Sequence, residues 1–148
     1  MQQRPVRAIL YAGLLAGVLD ITAAFAFSAL RGVGPARVLK FIASGLLGPT
    51  AFQGGARTAA LGMVLHFFIA TGAAGVYYAA SRKIAFLARQ PVPSGLLYGV
   101  AVYLFMNLVV LPLSAVPKRP FVPSLAMVVI HMLGVGLPIA LVLRHRQA

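Results

Sequence analysis

Acidic residues are almost missing from this chain: Asp20 is the one carboxylate side chain against thirteen Lys and Arg, a formal charge of +12. Paired-carboxylate acid/base catalysis needs two such groups, so it is excluded within a single copy. Cysteine is absent as well, which removes disulfide frameworks, iron–sulfur clusters and thiol nucleophiles and leaves the redox compartment open. No Gly-Lys-Ser/Thr ending accompanies Gln53-Gly54-Gly55, so that segment is a flexible elbow and not a nucleotide loop. Ser28, Ser44 and Ser114 lack the context of a nucleophile elbow. These absences point away from an enzyme.

Charge of either sign is scarce. Charged residues make up 9% of the chain and hydrophobic residues 61%, with a mean hydropathy of +0.94. A soluble domain carries about 25% charged residues because its surface must face water. This chain cannot cover such a surface, and its solvent is lipid. The basic residues sit at the edges of apolar runs, where they meet anionic headgroups and not nucleic acid.

Four apolar runs are long enough to cross a bilayer: 8–30, 58–80, 94–116 and 124–143. Each exceeds the length that a core about 30 Å thick requires at about 1.5 Å per residue. The expected fold is therefore an all-α, single-domain integral membrane bundle of four transmembrane helices. A signal peptide competes for the first run, since Arg4 and Arg7 resemble an n-region and Ala24-Phe25-Ala26 a cleavage site. Asp20 would interrupt its apolar stretch, and that stretch continues to Leu30, so the run is read as a helix.

Between the first two spans, residues 34–49 are too short to cross. Pro35 suits a helix start and Gly48-Pro49 a stop. Val38, Phe41, Ile42 and Gly45/Leu46 share one helical face, whereas Arg37, Lys40 and Ser44 share the other. An interfacial or re-entrant helix is expected, with Arg37 and Lys40 as its basic contacts to lipid headgroups. The competing reading is a clamp for a lipid phosphate or an anionic substrate. Tyr11, Tyr77, Tyr78 and Tyr98 fall near span ends on the side of the N-terminus, where headgroup-level tyrosines belong. Lys and Arg divide seven to that side and six to the other, a small bias that favours cytoplasmic termini and leaves insertion in both orientations as the alternative.

The two halves of the chain resemble one another. Gly13-Leu14-Leu15-Ala16-Gly17-Val18 matches Gly95-Leu96-Leu97-Tyr98-Gly99-Val100, and Val64-Leu65-His66-Phe67 matches Val129-Ile130-His131-Met132. A duplicated helical hairpin would place two parallel repeats about an axis along the membrane normal, as in some transporters. Chance similarity among Leu, Val and Gly is the alternative.

Each span contributes one strongly polar side chain: Asp20, His66, Asn107 and His131. Counted from the face that carries the first and third loops, all four lie roughly 10–15 Å deep, near the midplane. Small residues accompany them at helical spacing, as in Gly13, Gly17, Asp20 and Ala24 on the first helix, Ala59, Gly62, His66 and Ala73 on the second, and His131, Gly134 and Pro138 on the last. Such stripes face neighbouring helices. An intramembrane carboxylate costs about 2.5–3.5 kcal/mol on insertion scales, so it has partners or a task.

Three readings of this layer compete. Asp and His chains form proton or ion paths in transporters. His66 and His131 are also candidate ligands for haem or a transition metal, with Met63, Met106, Met127 and Met132 nearby in sequence as soft sulfur donors or as ordinary core filling. The third reading is a structural or accessory membrane subunit in which the polar groups fasten helices, within a homo-oligomer or a larger membrane complex.

With the Gly-rich first helix, the Gly95-Leu96-Leu97 opening, Leu111-Pro112-Leu113 and His131, the chain resembles the YagU-like group of small four-helix bacterial inner-membrane proteins. The resemblance implies an inner-membrane address and no assigned activity.

Overall fold

Prolines and glycines set the ends of the helices. The computed structural model describes residues 3–144, with side chains from residue 5; His145 and Arg146, expected to form a solvated basic tail, lie outside the described residues. Helix α1 (Gln3–Ala29) closes in a turn where Gly32 takes a φ of 73°, a backbone conformation that glycine adopts without steric cost. Pro35 then occupies the first turn of α2 (Pro35–Leu47), and Gly48 at φ 64° terminates it, its N–H reaching Ser44 O. A 3₁₀ turn over Gly48–Gln53 leads to α3 (Ala56–Ser81). The short α4 (Ala85–Arg89) precedes α5 (Pro91–Leu113) and α6 (Leu125–Arg144).

Four of these helices, from Pro5–Ala29, Ala56–Ser81, Pro91–Leu113 and Leu125–Arg144, are long and apolar enough to span a membrane. Their outward residues are apolar as well: Phe68 is 75% exposed and Val64 65%, a surface suited to lipid and not to water. α1 lies between α3 and α6, α5 packs on α6, and α2 packs along α3. The all-α four-helix bundle expected from composition is the architecture observed.

Both boundaries of the third span differ from the sequence reading by three residues. The third span starts earlier, because Pro91 serves as its first helical residue. It also ends earlier, at Leu113: Ser114 adopts an extended backbone, and the Ala115 N–H donates to Gly45 O at 3.0 Å. Residues 114–116 therefore belong to a loop that docks on α2.

Proline also shapes the interiors of α5 and α6. Each contains a widened π turn, Met106–Val110 and Met132–Gly136, ending two residues before Pro112 and Pro138. A proline has no N–H to give the carbonyl of the preceding turn and crowds it sterically. In both helices the following residue donates instead to a carbonyl five positions back: Leu111 to Met106 and Leu137 to Met132.

The repeated sequence motif has a counterpart in packing. In the first half, a side chain at Gly17 would meet the Phe67 ring at 2.6 Å, and one at Gly13 would meet Thr71 Cα at 2.5 Å. In the second half, a side chain at Gly99 would meet His131 and Met132, the latter at 2.5 Å from its Cα, and one at Gly95 would meet Gly136 O and Leu137 Cα at 3.0 Å. Matched glycines thus receive matched segments of the partner helix. Absence of a Cβ is what lets these backbones approach.

The core gathers at the end of the bundle that carries the termini, where Ala12, Ala16, Ala74, Tyr77, Ile139 and Leu143 are buried. Two of the tyrosines near span ends face into the bundle and not outward. Tyr77 is 1% exposed, its hydroxyl donating to Leu87 O at 3.0 Å and pairing with Ser94 Oγ at 2.8 Å. Tyr98 donates to Ala73 O at 2.7 Å. A phenol that finds a partner inside the bundle has no need of the aqueous interface. Tyr11 is exposed, and Tyr78 lies beside Arg82.

Helix α2 departs from its expected two faces in one respect. Ser44, grouped with Arg37 and Lys40, is fully buried and turns its hydroxyl onto Phe41 O at 2.6 Å. The reason is close packing against the bundle: Gly62 of α3 abuts the Leu39 backbone. Gly62 therefore admits α2 and not another span.

Candidate intramembrane polar site

Asp20 lies where α1 passes α6: a Cβ on Gly134 would stand 3.6 Å from Asp20 Cα, in ordinary van der Waals contact. Asp20 Oδ1 is buried and has no hydrogen-bond partner, alone in this respect among the buried side-chain nitrogens and oxygens of the described residues. An unpaired polar atom removed from water carries a full desolvation cost.

Both intramembrane histidines flank this carboxylate within electrostatic reach. His66 approaches from α3 and places Nε2 2.9 Å from Gly17 O, less than one turn before Asp20. His131 approaches from α6, with Nδ1 2.8 Å from Met127 O on its own helix and its ring against the Tyr103 ring at 5.5 Å. A backbone carbonyl can only accept a hydrogen bond. Nε2 of His66 and Nδ1 of His131 are therefore nitrogens that carry N–H. Nδ1 of His66 and Nε2 of His131 make no hydrogen bond among the described residues.

Asn107 does not join this group. Its Nδ2 donates to Tyr103 O at 2.8 Å, and the residue lines a separate cavity beneath the loop that follows α5. It lies within the π turn Met106–Val110, where the ordinary helical phase does not hold. Asp20, His66 and His131 thus share one neighbourhood, whereas Asn107 belongs to another. Its neighbour Tyr103 was not singled out from sequence. Buried at 4% exposure, Tyr103 contacts the His131 ring and accepts the Ser124 N–H at 3.0 Å through its hydroxyl.

The arrangement can exchange protons, since it offers one carboxylate and two imidazoles, each with one unengaged ring nitrogen. A ring nitrogen donated to a backbone carbonyl is also the usual support of a metal-ligating histidine. However, no three His, Cys, Asp or Glu among the described residues are grouped closely enough to hold a metal ion. A metal site of His66, His131 and the Asp20 carboxylate is therefore not assembled among the described residues.

Comparison of the chain with protein-family models, curated proteins and solved structures finds no match, so the likeness to the YagU-like group draws no support from relatives and the polar site must be argued on its own chemistry.

Proposed function

We propose that this multi-pass membrane protein moves protons, alone or coupled to another ion or solute, through Asp20, His66 and His131. One observation carries the proposal: Asp20 Oδ1 is buried without a hydrogen bond although two imidazoles stand near it. If the layer served only to fasten helices, the carboxylate would be bonded to a neighbour, because an interhelical bond requires it. Here both bonded imidazole nitrogens engage backbone carbonyls, and the carboxylate is left able to bind and release a proton. Asp and His in such positions are the usual relay groups of pumps and transporters, and imidazole changes charge near neutral pH.

In this reading a proton alternates between the Asp20 carboxylate and the free nitrogens, Nδ1 of His66 and Nε2 of His131. The address is the bacterial inner membrane, with both termini in the cytoplasm. Anionic headgroups meet the basic residues at both faces, Arg37 and Lys40 among them.

Purified protein reconstituted in liposomes with a trapped pH-sensitive dye tests the proposal. Under an imposed potential, the wild type should change the lumenal pH faster than protein-free vesicles. Asp20→Asn, which keeps a side chain of similar size, should fold and remain at the leak rate. A wild type that matches empty vesicles under every imposed ion gradient would leave the helix-fastening role.

A further inference from the structure

A second site lies away from Asp20. Between α2, the last two turns of the third span and the loop that follows it is a cavity of about 400 Å³. Its walls include Phe41, Leu111 and Phe121, with Asn107 at its inner end and Lys118 and Arg119 at its rim. The volume falls within the range of small-molecule pockets, about 300–1,000 Å³.

The rim is rigidly positive. Lys118 Nζ donates to the carbonyls of Pro112 and Ser114, which fixes the ammonium at the C-terminal end of α5 and leaves a third N–H to donate. Arg119 is exposed and makes no hydrogen bond or ion pair among the described residues, so its whole guanidinium is available. No acidic side chain neutralises either charge, because the single one in the sequence, Asp20, belongs to the other site. From the level of Asn107 to the end of α5 at Leu113 is about 9 Å at 1.5 Å per residue. The cavity therefore runs from a cationic rim at the membrane surface into an apolar interior.

We infer that this cavity binds one anionic phospholipid, its phosphate held by Lys118 and Arg119 and an acyl chain lying against Phe41, Leu111 and Phe121. A soluble phosphate would satisfy the rim and leave the apolar walls uncovered, and a neutral lipid would do the reverse. Basic pockets at helix ends hold anionic lipid headgroups in this way.

The chain contains no Trp, so Phe121→Trp makes a single fluorescent reporter inside the cavity. Phe68→Trp, on the exposed face of α3, reports the bulk lipid. Both variants are placed in phosphatidylcholine nanodiscs, and brominated phosphatidylglycerol or brominated phosphatidylcholine is added as quencher. Half-quenching at position 121 should need about tenfold less phosphatidylglycerol than phosphatidylcholine, with no such preference at position 68. Arg119→Gln, which removes no contact within the protein, should lower the preference, and Lys118→Gln with Arg119→Gln should abolish it. Equal quenching by the two lipids at position 121 would overturn the inference. So would a preference unchanged in Arg119→Gln, or relief of quenching by millimolar inorganic phosphate, which would mark a site for a soluble anion.

Discussion

His66 of α3 and Gly17 of α1 are joined by a hydrogen bond of 2.9 Å from an imidazole nitrogen to a backbone carbonyl. The contact needs a residue without a side chain at position 17, because a Cβ there would meet the Phe67 ring at 2.6 Å. The matched contact in the other half, Gly99 against His131 and Met132, is tighter in kind, since what a Cβ meets there is backbone. An aromatic ring can swing aside; a helix backbone cannot.

Glycine substitutions should follow that distinction. Gly99→Ala should destabilise the bundle by about 1–3 kcal/mol, the usual cost of overpacking. Gly17→Ala should cost less. Gly72→Ala, where nothing lies within 4 Å of the added carbon, should change stability by no more than about 0.5 kcal/mol. Reversible unfolding in mixed detergent micelles gives the ranking, and equal effects at Gly99 and Gly72 would contradict the close approach of α5 and α6.

Two phenols bonded inside the bundle should differ as well. Tyr98→Phe removes one bond, to Ala73 O, and should cost about 0.6 kcal/mol, the average for polar contacts between membrane helices. Tyr77→Phe removes contacts to both Leu87 O and Ser94 Oγ and should approach the upper end of that range, about 1.7 kcal/mol. The same unfolding assay checks this order. A silent Tyr77→Phe would contradict these two hydrogen bonds.

Docking of α2 is open to chemical labelling. Ser44 is fully buried and the chain has no cysteine, so Ser44→Cys gives a single thiol that should resist a maleimide. Adding Gly62→Val, which drives a side chain into the Leu39 backbone, should make that thiol react at least about tenfold faster by exposing a locally opened state. Rapid labelling without Gly62→Val would mean that α2 does not rest on α3.

The even number of spans places Gln53 on the opposite side from both ends of the chain. Reporter fusions after Gln53 and at the C-terminus should therefore localise to opposite compartments. Both on one side would remove a span from the account, whereas each on both sides would indicate insertion in two orientations.

The spans were legible because they depend on quantities that sequence carries directly: run length, charge at the run ends and the scarcity of acids. Direction around the helix axis was legible only where the helix is regular. His66 meets Gly17 across two regular helices, whereas Asn107, inside a π turn, lines a cavity. The π turns were hidden although Pro112 and Pro138 were visible, because proline can kink, widen or end a helix and tertiary packing selects among these. Ser44 was misplaced for a related reason: it follows the rules for polar groups at an interface, yet it finds an internal carbonyl that makes burial tolerable.

A double-mutant cycle on proton flux tests the Asp20 site most directly. Flux into liposomes is compared for Asp20→Asn, His66→Ala, His131→Ala and the two combinations with Asp20→Asn. A shared relay predicts that each single change impairs the same flux and that the combinations fall no further than Asp20→Asn alone, a strongly non-additive result. Undiminished flux in a folded Asp20→Asn protein would contradict the account, as would losses from the histidine changes that simply add to those from Asp20→Asn.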